Sequence, residues 1–190
     1  QLPSYLYWCP LVTRLPNPEG KGEVSMLDLL INSLRMRPDR IILGEIRRKR
    51  DAEVLFESMH TGHSVYSTLH ANNITETIQR LVNPPIEIAE NLLQAVQLNV
   101  VMFRDRRRGL RRIFQLGEFI GSEESSNATI RGNILYRWKP TTDEIVTHSE
   151  SIKLFEELSR HTGFNQNEID KDLKEKEEVA RDEIKEAMES

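Results

Sequence analysis

Residues 40–73, RIILGEIRRKRDAEVLFESMHTGHSVYSTLHANN, constrain the fold more than any other stretch. Two short apolar runs flank one amphipathic segment, and a lone acid or histidine follows each run. Ile41, Ile42 and Leu43 read as a short strand buried on both faces, and Gly44 permits close approach of backbone or ligand just before Glu45. Residues 51–62 read as a helix with Asp51 as its cap and Gly62 as its terminator. Residues 64–69 read as a second strand ending at His70. Strand, helix and strand within about thirty residues make a βαβ unit, whose right-handed crossover brings both strand ends to one edge of the sheet. Glu45 and His70 are therefore expected to face one crevice, where open α/β sheets bind ligands.

The flanking chain supplies further elements. Residues 1–22 carry four prolines and no helical period, and read as extended chain and loop. Residues 24–37 read as an amphipathic helix, with Ser25 as N-cap and Asp28 at the reciprocal position, and Pro38 ends it. Asn73 with Glu76 repeats the capping signature and opens a helix that Pro84 and Pro85 break. Residues 86–97 recover a helical period, and residues 98–103 and 113–120 read as antiparallel strands around the basic turn 104–112. After a polar loop over 121–129, residues 131–138 and 144–147 make a small hairpin. Residues 151–161 and 167–188 read as helices, the second long, charged and with a narrow apolar stripe through Ile169, Leu173 and Ile184.

The central stretch also resembles the secretion ATPase superfamily, the motors of type II secretion, type IV pili, archaeal pili and archaella. Gly44, Glu45, Ile46 and Arg47 after an apolar run resemble its Walker B segment. Ser67, Thr68, Leu69, His70 and Ala71 resemble its histidine box, joined to the first motif by the Thr61-Gly62-His63 turn, and the wording of later stretches is closest to the archaeal branch. The resemblance implies an α/β fold: part of a RecA-like P-loop core over residues 1–120, then antiparallel hairpin and helical appendage over residues 121–190. It also implies that Glu45 is the catalytic carboxylate, that His70 senses the γ-phosphate, and that Arg47 reads charge near the phosphates. Arg35 is a further candidate for interface or phosphate charge; a cation at a helix end also stabilises the helix dipole simply by its position, and that is the reading preferred for Arg37. Where many members carry Asp or Gly after this arginine, Arg48 stands here, at a more positive rim or in a solvated loop.

A nucleoside triphosphatase also needs a phosphate cradle, and the sequence contains no G-x-x-x-x-G-K-S/T loop. In the family that loop lies upstream, before an acidic box whose end Gln1-Leu2-Pro3 resembles. The expectation is therefore the carboxyl-terminal part of a motor domain, which alone neither binds ATP tightly nor hydrolyses it, with an edge and apolar surface left open. For the complete protein the resemblance implies ATP and Mg²⁺, a homo-hexamer, a polytopic inner-membrane platform protein as partner, and a place at the cytoplasmic face of the membrane. The alternative is a noncatalytic truncated assembly module.

Composition narrows the remaining classes. A net charge of −4 gives no global positive field for nucleic acid, and the basic turn 104–112 lacks interleaved aromatics, so a solvated tip or an acidic protein partner is preferred. The single cysteine, Cys9, fits a reducing compartment. His60, His63 and His70 lack the ligand spacing of a zinc site. No apolar run approaches the roughly twenty residues that span a bilayer.

Overall fold

The computed structural model describes residues 7–122 and 129–189. The expected readings of residues 1–3 and of most of the polar loop after Gly121 lie outside the described residues. The described residues fall into two compact units, one within 7–96 together with 121, 122, 129 and 130, the other within 97–120 and 131–189.

The first unit is built on the expected βαβ core. Strand β1 (Arg40–Leu43) pairs in parallel with β2 (Ser64–Ser67), with Arg40 opposite Ser64 and Leu43 opposite Ser67. Helix α2 (Lys49–His60) makes the crossover, and its Leu55, Phe56 and Ala52 are buried to 1% exposure or less. Helix α1 (Met26–Leu34) packs on α2 and buries Leu30. Its start is the expected capping box: the Asp28 amide donates to Ser25 Oγ, and Asp28 Oδ2 accepts from the Ser25 amide. The helix ends at Leu34, before Pro38, and Arg37 takes a left-handed φ of 51°. Helix α3 (Ile74–Val82) starts as expected at Asn73, whose Oδ1 accepts from the Glu76 amide at 2.8 Å.

Three expectations in this unit are corrected. β1 is buried on one face only: Ile41 and Leu43 point inward, while Ile42 is 55% exposed beside its equally exposed register partner Tyr66. The cause is topological, because helices cover only one side of this two-stranded parallel sheet among the described residues. Asp51 is not the cap of α2; Arg48 holds the extended N-cap conformation, and Asp51 lies buried in the first turn, where an acid complements the helix dipole. Residues 86–97 form no α-helix. Ile86, Ile88 and Leu93 are buried, but the Ile88 amide donates back to the Leu81 carbonyl, so only a 3₁₀ helix over Glu90–Ala95 remains.

The second unit carries an antiparallel sheet in the order β3 (Asn99–Asp105), β4 (Leu110–Ser122), β5 (Thr129–Lys139), β6 (Glu144–Thr147). The two hairpins expected from sequence thus share one sheet. Gly109 takes the left-handed φ of 65° that the β3–β4 turn requires. Phe103 stacks near Trp138 with ring centroids 5.2 Å apart. Helix α4 (Lys153–Thr162) ends at Gly163, and α5 (Gln166–Glu189) buries Ile169 while Leu173, Val179 and Ile184 stay exposed. No helix among the described residues is long and apolar enough to cross a membrane.

Candidate functional site

The residues after β1 are held in place by the segment after β2. The Thr68 hydroxyl donates to the Gly44 carbonyl at 2.5 Å, and the Thr68 carbonyl accepts from the Ile46 amide at 3.0 Å. Glu45 therefore sits between two backbone groups fixed by one threonine, although the regular strand pairing has already ended at Leu43. A Cβ placed on Gly44 meets no atom within 4 Å, so the backbone just before Glu45 is open to close approach. Ile46 is buried between Glu45 and Arg47.

The structure brings Glu45, Arg47 and His70 together. Arg47 Nε donates to Glu45 Oε2 at 2.7 Å, and a terminal nitrogen of the same guanidinium reaches that oxygen as well. His70 Nε2 lies 3.2 Å from the other carboxylate oxygen, Oε1. The Glu45 side chain is 20% exposed, whereas those of Arg47 and His70 are 74% and 82% exposed, so two solvent-facing groups cover a largely sheltered acid. The hydrogen bond from Arg47 holds the Glu45 carboxyl below its ordinary value; burial opposes this, and the charges of Arg47 and His70 add to it.

These residues line a hollow of about 470 Å³ whose opposite wall is the polar face of α3 and the chain after it. Glu76, Gln79 and Arg80 project from that wall, with Arg80 Nε donating to Glu76 Oε1 at 3.1 Å. Glu76 Oε2 accepts from the backbone and side chain of Asn72, two residues after His70. Glu76 and Arg80 were legible in sequence only as a cap and a helical pair; the available signal was their i, i+4 spacing on a helix opening three residues after the histidine. Arg35, in contrast, lies at the end of α1 and does not line the hollow.

His63 is occupied locally, with Nδ1 3.2 Å from the Ser58 carbonyl. No group of three or more His, Cys, Asp or Glu side chains gathers as a metal site among the described residues. Two carboxylates, those of Glu45 and Glu76, two guanidinium groups and one imidazole line the hollow.

Residues 10–115 match the family model described as Type II/IV secretion system protein. An uncharacterized protein of Methanocaldococcus jannaschii is 35% identical over 85% of this chain and 30% of its own length. The type IV pilus assembly ATPase PilB of Pseudomonas aeruginosa is 46% identical over 34% of this chain and 11% of its own. The crystal structure of the ATPase DotB of Yersinia pseudotuberculosis aligns with a TM-score of 0.40 and 26% identity, over 46% of this chain and 24% of that one. The chain thus spans under a third of the length of each of these relatives. The family match covers more than half of the 190 residues, and this chain belongs to the type II/IV secretion system protein family.

Proposed function

We propose that this chain supplies the water-orienting and phosphate-sensing side of the ATPase site in an assembly or secretion motor. The observation that carries the reading is the convergence of Glu45, His70 and Arg47 on one hollow at the carboxyl end of β1. Homology to a protein named as a pilus assembly ATPase supports the same reading. In it, water attacks the γ-phosphorus of ATP, the bond to the bridging oxygen of ADP breaks, and Glu45 orients the water and accepts its proton. His70 donates to a γ-phosphate oxygen, and Arg47 offers positive charge to the same group. Mg²⁺, when bound with the nucleotide, would supply charge neutralisation to the phosphates. The wider proposal is a homo-hexamer working at the cytoplasmic face of a membrane against a polytopic platform protein.

The test joins the phosphate-loop half of a family member upstream of this chain and compares steady-state ATP hydrolysis. Glu45→Gln keeps the shape of the side chain and removes its basicity, so kcat is expected to fall by about 10²-fold or more with little change in KM. Undiminished turnover in that variant refutes the assignment.

A further inference from the structure

A carboxylate serving as proton acceptor works best with its lone pairs open and its basicity ordinary, and Arg47 reduces both at Glu45. Its Oε2 is taken by two nitrogens of Arg47, and its Oε1 faces His70. Arg47 lies two residues after the acid, and its guanidinium reaches Glu45 Oε2 directly. We propose that Arg47 is a positioning residue that masks Glu45 until a phosphoryl oxyanion entering the hollow draws the guanidinium away and frees the carboxylate. This rests on the ATPase reading of the site and adds to it the order of events: the anion comes first and the base second.

Three observations make the exchange physically reasonable. The Arg47 side chain is 74% exposed and makes no other hydrogen bond described here, so it can swing without breaking packing. An ion pair so open to water is weak, whereas a guanidinium meets a phosphoryl group with two parallel charge-assisted hydrogen bonds. Glu45, by contrast, is sheltered and pinned through the backbone on either side of it by Thr68, so it stays in place when its partner leaves. The charged groups facing Glu45 are Arg47 and His70 from its own side of the hollow, and Glu76 and Arg80 from α3. Glu76 and Arg80 are already paired with each other. Arg47 is also the group that holds the Glu45 carboxyl low, so its departure restores basicity at the moment water has to be activated.

The experiment follows the Glu45 side-chain carboxyl by carbon NMR in the whole 190-residue chain, titrating pH with and without inorganic pyrophosphate at constant ionic strength. Pyrophosphate is expected to shift the Glu45 midpoint upward in the wild type. In Arg47→Ala the midpoint is already raised, and pyrophosphate moves it by less than in the wild type. Arg47→Lys, which keeps the charge and loses the fork, lies between the two. An unmoved wild-type midpoint, or an equal pyrophosphate shift in Arg47→Ala, overturns the proposal. Either result leaves the ATPase reading standing if Glu45→Gln lowers turnover as expected, and undiminished turnover in that variant overturns the ATPase reading whatever the titration shows.

Discussion

At the scale of single residues, the chain shows how one carboxylate can be held as an anion by quite different surroundings. Glu45 is held by an exposed arginine at the edge of solvent, whereas Asp143 is clamped from both oxygens. Both oxygens of Asp143 accept from Arg112, at 2.7 and 2.6 Å, and Oδ1 also accepts from the Trp138 indole at 2.8 Å. The Arg112 and Trp138 hydrogen bonds lower its pKa to about 2 from the ordinary 3.8. Because the folded value is the lower one, this clamp contributes fully above about 3.8 and is lost as pH falls toward about 2. In a Trp8→Phe background, Trp138 fluorescence is expected to change across that acid window, and Asp143→Asn is expected to remove the transition. Asp143 lies between β5 and β6, 31 residues from its partner Arg112, so no local spacing names the pair. Glu45 and His70 were legible because each stands alone after an apolar run, and their separation in sequence is what one βαβ crossover spans.

At the scale of elements, local signals placed the starts of α1 and α3 but not that of α2, where Arg48 and not Asp51 holds the cap position. Ser25 with Asp28 and Asn73 with Glu76 open helices where their spacing predicts, because a cap is a contact over three residues. Helix α4 follows another rule. Its N-cap residue, Ile152, has no side-chain cap of its own, and the need is met from β4 by Glu118. The amides of Ile152 and Leu154 donate to Glu118 at 2.8 and 3.0 Å, and Ser151 Oγ and Asn133 Nδ2 complete the set. Burial of this fully enclosed carboxyl pushes its pKa up, but these hydrogen bonds outweigh burial and hold it below the ordinary range. Glu118→Gln leaves amide donors facing a neutral group that also brings donors of its own. It is expected to cost about 2 kcal/mol, read as a lower urea midpoint. An acid inside the apolar run 113–120 was the only hint of this role in the sequence, and nothing local names its partners 33 to 36 residues away.

At the scale of the whole molecule, stability is unevenly spread. Phe56, Leu55 and Leu93 in the first unit and Phe119 in the second are essentially sealed, while most of α5 lies in water. The helix is held by i, i+4 pairs such as Lys176 with Asp172 and Arg181 with Glu177, which are worth only tenths of a kcal/mol each. Ile169 is the residue that anchors it, at 4% exposure. Ending the chain at Lys174 is therefore expected to change unfolding free energy by less than about 0.5 kcal/mol. Ile169→Ala is expected to cost about 2–5 kcal/mol, measured by the same urea titration. The opposite ordering would show that the exposed stripe is packed.

Sequence alone determined the features that arise within a few residues or one crossover: the parallel β1–β2 pair, the caps of α1 and α3, the hairpin turns, and the meeting of Glu45 with His70. These follow from hydrophobic period, capping chemistry and chain handedness, which act locally. Tertiary structure decided what needed distant partners. It left one face of β1 open, diverted residues 86–97 from an α-helix to a 3₁₀ turn, and placed Glu76 and Arg80 across from Glu45. It also set Arg47 over the carboxylate. A sequence names the charges, but only the folded backbone sets the distances that decide which of them neutralise one another.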